Sequence, residues 1–274
     1  TDSMDASATL SIAFLSPAAI TISDGPTYDY GTVPMSSSSS YFFTLTNAGA
    51  ADALLTGYSG LNTRFAFTGG SAPGTSGTCG ASLAGGATCV INLSYLPDAA
   101  VLQSATLSVD YHSGVAPTSA TRALQGTGIA LAALSISDGP TWAYGSMPTG
   151  GSATKTFTIT NTGGMTASAL SGSGLTAPYE FFGGGGFPGG GTCVTSLTAA
   201  SSCTFIVSYS PTVVGVHNDT ISIDYNNGVS PTSSTRDLTG TGVNPALLTI
   251  TDNTTNNYGN VVNGAVADLV FTIT

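Results

Sequence analysis

The sequence predicts an all-β protein made of tandem immunoglobulin-like antiparallel β-sandwich domains. Three observations predict it. The chain repeats itself at one domain-sized offset, its apolar runs alternate with period two, and Asn, Gly and Pro punctuate those runs with no useful helical period between them.

The repeat sets the organisation. Ser23-Asp24-Gly25-Pro26-Thr27-Tyr28-Asp29-Tyr30-Gly31 returns 114 residues later as Ser137-Asp138-Gly139-Pro140-Thr141-Trp142-Ala143-Tyr144-Gly145. It returns again, more loosely, from Thr251-Asp252-Asn253 to Tyr258-Gly259. The same offset carries Asn47 to Asn161, Cys79 to Cys193, Cys89 to Cys203, Asp110 to Asp224 and Arg122 to Arg236 without a gap. A period this long is a domain, and each copy is large enough to bury its own core. The expected divisions are an N-terminal segment 1–16 (an edge or donor strand), Ig-like repeats over 17–130 and 131–244, and the start of a third over 245–274.

Taken along the chain, the strands follow from alternation. Phe43 and Leu45 share a face, as do their counterparts Phe157 and Ile159, then Phe271 and Ile273. Cys89, Ile91, Leu93 and Tyr95 line one face of the next clear strand, matched by Cys203, Phe205, Val207 and Tyr209. Leu107, Val109 and Tyr111 alternate with Thr106, Ser108 and Asp110. One buried face per strand is what an antiparallel sandwich requires. Asn47-Ala48-Gly49 and His112-Ser113-Gly114, with their copies, read as turns tolerant of positive φ. About seven or eight strands fit each copy.

Composition narrows the function. Four Lys and Arg stand against 14 Asp and Glu, a net charge of −10, which repels a phosphate backbone and argues against nucleic acid. Only 7% of residues are charged, against a usual quarter. Ser, Thr, Gly and Asn supply the polar surface instead, as on an extracellular protein or through a compositional bias of the lineage. No apolar run is long enough to span a bilayer as a helix. The cysteines Cys79, Cys89, Cys193 and Cys203 fall as one pair per copy. That pattern reads as two local disulfides in an oxidising compartment. The rival, zinc, lacks ligands at matching positions, because His112 and His217 do not correspond.

The run Ile22-Ser23-Asp24-Gly25-Pro26, Tyr30-Gly31, Phe43-Thr44-Leu45-Thr46-Asn47-x-Gly49, Cys89-x-Ile91-x-Leu93-x-Tyr95-x-Pro97 and Leu124-x-Gly126-x-Gly128 resembles the bacterial choice-of-anchor D repeats. These are relatives of the ASH and HYDIN group within the major-sperm-protein-like immunoglobulin fold. The second copy carries every element, including Leu238-Thr239-Gly240-Thr241-Gly242. The resemblance covers nearly everything beyond residue 16 and implies a secreted or surface-anchored, modular bacterial protein.

Several residues invite a chemical role. Asp24, Asp138 and Asp252 read as turn caps through backbone amides, with a calcium ligand as the alternative. Arg122 and Arg236 suggest structural ion pairs with Asp110 and Asp224. Lys155, the only lysine, shares its copy with Asn161 and with Glu180, the only Glu, so an isopeptide bond comes into question. The glycine-rich run 183–191, with counterpart 69–77, lacks the features of a phosphate loop and reads as a flexible, disulfide-tethered loop. Phe187 at its tip is the candidate partner contact. Asn92, Asn218 and Asn253 head glycosylation-type triplets that chance explains in so Ser/Thr-rich a chain.

No catalytic set emerges, and neither a metal nor a cofactor is expected. The third copy breaks off after about 30 residues, either as part of a longer array or completed by another chain, with residues 7–15 as a possible donor strand. The leading expectation is a non-enzymatic stalk or filament of a bacterial surface protein, adhesin-like, with short Gly-x-Gly linkers restricting bending. Its partners are then copies of itself or further repeats. The alternative is an Ig-like module that binds a cell-surface glycan or protein through exposed loops.

Overall fold

In a computed structural model of the protein, residues 14–250, 255 and 257–273 are described. The first copy forms nine strands: β1 (Ile20–Ile22), β2 (Thr27–Pro34), β3 (Ser39–Asn47), β4 (Ala53–Ser59), β5 (Phe65–Phe67), β6 (Ser82–Leu83), β7 (Thr88–Tyr95), β8 (Leu102–His112) and β9 (Pro117–Ile129). The second copy repeats them as β10 (Leu134–Ile136), β11 (Thr141–Pro148), β12 (Ala153–Asn161), β13 (Ala167–Ser173), β14 (Tyr179–Phe181), β15 (Ser196–Leu197), β16 (Ser202–Tyr209), β17 (Gly215–Asn226) and β18 (Pro231–Val243). Nine strands form per copy, against the seven or eight expected. Alternation marked β3, β7, β8 and their copies, and it marked neither the two- and three-residue pieces nor the longer β2, β4 and β9.

Each copy builds two sheets. In the first they run β1-β3-β7-β5 and β2-β9-β8-β4-β6, and in the second β10-β12-β16-β14 and β11-β18-β17-β13-β15. The fold is an all-β, immunoglobulin-like sandwich. One pairing in each copy departs from the antiparallel expectation: β2 joins β9, and β11 joins β18, in parallel. β2 and β9 lie at opposite ends of the copy's sequence, so no hairpin fixes their relative sense. A bulge between Asp29 and Thr32 contains Gly31 at φ 73°, a conformation that suits glycine.

The buried side chains form two clusters, one drawn from residues 18–124 and one from 132–238. The alternating faces read from sequence supply them. Phe43, Leu45, Ile91, Leu93, Tyr95, Leu107 and Val109 are fully buried, as are Phe157, Ile159, Phe205, Val207, Tyr209, Ile221 and Ile223. Phe65 stacks on Tyr95 at 4.6 Å and Tyr179 on Tyr209 at 4.8 Å.

The Gly-x-Gly sequences are not linkers. They belong to β9 and β18. A Cβ on Gly126 would lie 2.5 Å from Tyr95 Cε1, and one on Gly128 2.1 Å from the Ala99 carbonyl oxygen. Gly240 and Gly242 meet Tyr209 and Val213 in the same way. Gly126 and Gly240 let the last strand close over the core tyrosine, and Gly128 and Gly242 let it pass the loop carbonyls of Ala99 and Val213. The chain between the sandwiches is residues 130–133.

Among the described residues of the third copy, an antiparallel bridge joins Ile250 to Ile273. It has the register of Ile136 with Ile159 and of Ile22 with Leu45. Leu248, Ile250, Phe271 and Ile273 are exposed. Asp252 and most of the N-terminal donor segment lie outside the described residues. Phe14 and Leu15 are exposed and outside any strand.

Candidate functional site

The chemistry-bearing side chains gather at the sheet margins. A free strand edge exposes unpaired amides and carbonyls. In this protein, side chains and a loop occupy such edges in the same way in both copies.

The first margin is β1. Arg122 is buried, and its Nη2 donates to the carbonyl of Ile22. The Ile20 amide donates to the Tyr111 hydroxyl at 3.1 Å. Arg236 and Tyr225 do the same for Ile136 and Leu134. The sequence-expected ion pairs with Asp110 and Asp224 do not form. Arg122 sits opposite Leu107 on the core face, whereas Asp110 pairs with Ser119 on the other. Asp110 instead accepts from Ser108 Oγ at 2.8 Å and Ser59 Oγ at 3.1 Å. The guanidinium thus ties the edge of one sheet to a strand of the other.

The second margin is the part of β7 that short β5 leaves uncovered. The glycine-rich stretch runs along it. The Asn92 amide donates to the Pro73 carbonyl at 2.8 Å, and the Thr78 amide to the Val90 carbonyl at 2.8 Å. In the second copy, Ile206 donates to Pro188 at 2.9 Å and Cys193 to Thr204 at 3.0 Å. Cys79 is bonded to Cys89 and Cys193 to Cys203, each across a separation of 10 residues. Both pairs being disulfides, no thiolate is left for a metal. The expected flexible tether is therefore an edge cover, pinned by backbone bonds and a disulfide.

Phe187 is not an exposed tip. It is half-buried, packed on Phe181 at 5.7 Å and Phe205 at 6.0 Å between ring centroids. The reason lies on β13. Gly172 corresponds to Tyr58, whose ring packs on Phe67 at 5.1 Å in the first copy. With glycine at 172 that slot is empty, and Phe187 fills it from the loop. A Cβ on Gly172 would meet the Phe181 ring first and would lie 2.7 Å from Phe187 Cδ2, so both rings bound the space. The exposed aromatic of this region is its neighbour Phe182, 50% accessible.

The Asp-Gly turns close a third seam, between β2 and β3. Asp24 and Asp138 have φ of 72° and 71°. Their carboxylates accept from side chains rather than the expected backbone amides. Asp24 accepts from Ser23 Oγ and, at 2.9 Å, from the Tyr41 hydroxyl. Asp138 accepts from Ser137 Oγ and, at 2.8 Å, from Lys155 Nζ. The Lys155 ammonium, then the Ser137 hydroxyl, hold the Asp138 carboxyl below the usual carboxylate range. Lys155 Nζ also lies 3.8 Å from the Trp142 ring centroid. The isopeptide reading fails on this placement. Asn161 is buried six residues further along β12, and its amide nitrogen donates to Met165 and Leu197 carbonyls.

Asn47 and Asn161 carry more than the turn read from sequence. Each is fully buried with every side-chain valence used. Asn161 Oδ1 accepts from Ala133 and Gly163, and Nδ2 donates to the Met165 and Leu197 carbonyls. Asn47 repeats this with Ala19, Gly49, Ala51 and Leu83. The invariance of Asn between copies was the available signal. Of the glycosylation-type triplets, Asn92 is buried, Asn218 is exposed and Asn253 lies outside the described residues.

Open hollows are shallow in chemistry. One of about 660 Å³ lies over Thr141, Asn218, Asp219, Thr220 and Asp237. Asp219 there accepts from Thr176 and Thr220, and Asp237 from the Thr220 hydroxyl. Another of about 300 Å³ lies beside the second loop, over Gly172, Leu175, Glu180, Gly184 and Gly186. Among the described residues, no group of three or more His, Cys, Asp or Glu is placed to hold a metal. No helix among them is long and apolar enough to cross a membrane.

No family model matches the chain, and no curated protein matches it. Solved structures do. A Vibrio cholerae VesB protease matches at 15% identity over 39% of this chain, TM-score 0.33, and the chain spans 31% of that protein's length. An ASH / PapD-like domain of human CEP192 matches at 13% identity, 41% of this chain, 87% of that one and TM-score 0.32. Mouse clustered PcdhgC3 EC1-3 matches at 10% identity, 83% of this chain, 68% of that one and TM-score 0.44.

Proposed function

We propose that the chain is a run of structural modules from a secreted bacterial surface protein of the choice-of-anchor D kind, forming a stiff stalk or filament without enzymatic activity. The observation that carries the reading is the duplicated margin. A buried arginine closes β1 in the first copy and β10 in the second, and a disulfide-closed loop covers β7 and β16. A module whose edges are occupied resists stray strand pairing and holds its two sheets together under load. Two disulfides fit an oxidising, extracellular compartment. An excess of acidic residues keeps the chain from nucleic acid. The partners are further repeats or copies of the same chain.

Single-molecule stretching of the full chain tests this. The expected trace has two module-sized unfolding steps of equal length. Reduction of the disulfides lengthens each by about 35 Å, the reach of the ten freed residues. A trace without module-sized steps overturns the stalk reading.

A second reading rests on the hollow beside loop 183–191, lined in part by Glu180 and Phe181, and on Phe182, the exposed next residue in sequence. It makes the second module a binder of a cell-surface glycan or protein. Saturable binding in a glycan or cell-binding screen, lost in Phe182→Ala, favours this reading over the first.

A further inference from the structure

The seam between β2 and β3 differs chemically in the two copies. In the first, Tyr28 on β2 and Tyr41 on β3 lie face to face, with ring centroids 4.1 Å apart and planes inclined by 24°. The two strands belong to different sheets of the sandwich. Both rings are half-buried at the margin, within reach of a small oxidant. The Tyr41 hydroxyl donates to Asp24 Oδ1 at 2.9 Å. A phenol that loses an electron sheds its proton, and a hydrogen-bonded carboxylate is placed to take it.

We propose that Tyr28 and Tyr41 form a dityrosine site, a latent covalent cross-link between the two sheets of the first module. The oxidant is hydrogen peroxide acting through a peroxidase. Each phenol gives up one electron and one proton, that of Tyr41 through Asp24 and that of Tyr28 to water. The two phenoxyl radicals couple through ring carbons ortho to oxygen, forming one carbon–carbon bond. The two ring hydrogens then move to the oxygens and restore both phenols. Two hydrogens leave in all, and one peroxide becomes two waters.

The neighbours favour this pair. Tyr30 lies 4.9 Å from Tyr28 but edge-on at 90°, and it is buried with its hydroxyl donating to the Leu93 carbonyl. In the second copy the positions hold Trp142 and Lys155, and the ion pair of Lys155 with Asp138 closes the same seam without oxidation.

The test treats the dilute full chain with a peroxidase and hydrogen peroxide, then maps peptides by mass spectrometry. The expected product is a monomer two hydrogens lighter, fluorescent as dityrosine, with one cross-linked peptide joining residues 28 and 41. Tyr41→Phe keeps the ring and loses both signals, while Tyr30→Phe keeps both. Asp24→Asn forms the product several-fold more slowly. Thermal unfolding of each variant confirms that it is folded. The proposal is overturned by a wild-type chain with no intramolecular link, by a link mapped to other tyrosines, or by Tyr41→Phe retaining it.

Discussion

Replacing Phe187 with alanine separates a packing role from a contact role. Its ring touches Phe181 and Phe205 and fills the slot opened by Gly172. A fully buried Phe→Ala change costs about 3–5 kcal/mol, and a half-buried ring about half of that, so about 2 kcal/mol is expected here. For a domain near this size, that lowers the melting temperature by about 8 °C. Trp142 is the only tryptophan and lies in the second module, so its fluorescence reports that module alone. Denaturant unfolding followed at Trp142 should show the loss directly, in the second module alone. The double variant Gly172→Tyr/Phe187→Ala imitates the first copy, where Tyr58 packs on Phe67, and should recover part of it. A Phe187→Ala protein within about 0.5 kcal/mol of wild type would refute the packing argument, since that is the size of an ordinary surface change.

Three further outcomes follow from the margins. Asn161→Ala strands four backbone groups and should cost about 3 kcal/mol or more in the same unfolding assay, with Asn161→Asp also destabilising. Arg236→Met leaves the Ile136 carbonyl without its donor and should cost about 1–3 kcal/mol, while an unchanged midpoint shows that the guanidinium does not hold β10. Asp138 has a lowered pKa in the folded chain, so its contribution is present above the ordinary Asp value of about 3.9 and is lost as pH falls through the folded value. The melting-temperature gap between wild type and Lys155→Met should accordingly be widest near neutrality and close below about pH 4, whereas a gap independent of pH contradicts the ion-pair account.

Much of the fold was legible in the chain. Alternation in Cys89 to Tyr95 and Leu107 to Tyr111 marks the core faces correctly, because one-sided burial leaves a period of two wherever a strand is long enough. It gave no signal at β1, β5, β6 and their copies, which are too short to carry a period. Nor were β2, β4 and β9 read from it, the first two being less regular in burial. It also fails for the direction of β2, which is set by a partner most of a domain away in sequence. The candidate site was legible as a set of repeated residues and not as a set of roles. Arg122 and Asp110 looked like partners until the register put them on opposite faces. Phe187 looked exposed because its loop is rich in glycine, yet what decides its position is a missing side chain on another strand, Gly172.

The sequence by itself determined the class, the repeat and the cysteine pairs, because composition, period and identity at a fixed offset are local properties of the chain. The tertiary structure decided which groups meet. A backbone amide or carbonyl at a strand edge takes whatever donor or acceptor the opposite sheet brings to it. Only folding placed Arg122 at Ile22, Tyr41 at Asp24 and the disulfide loop along β7.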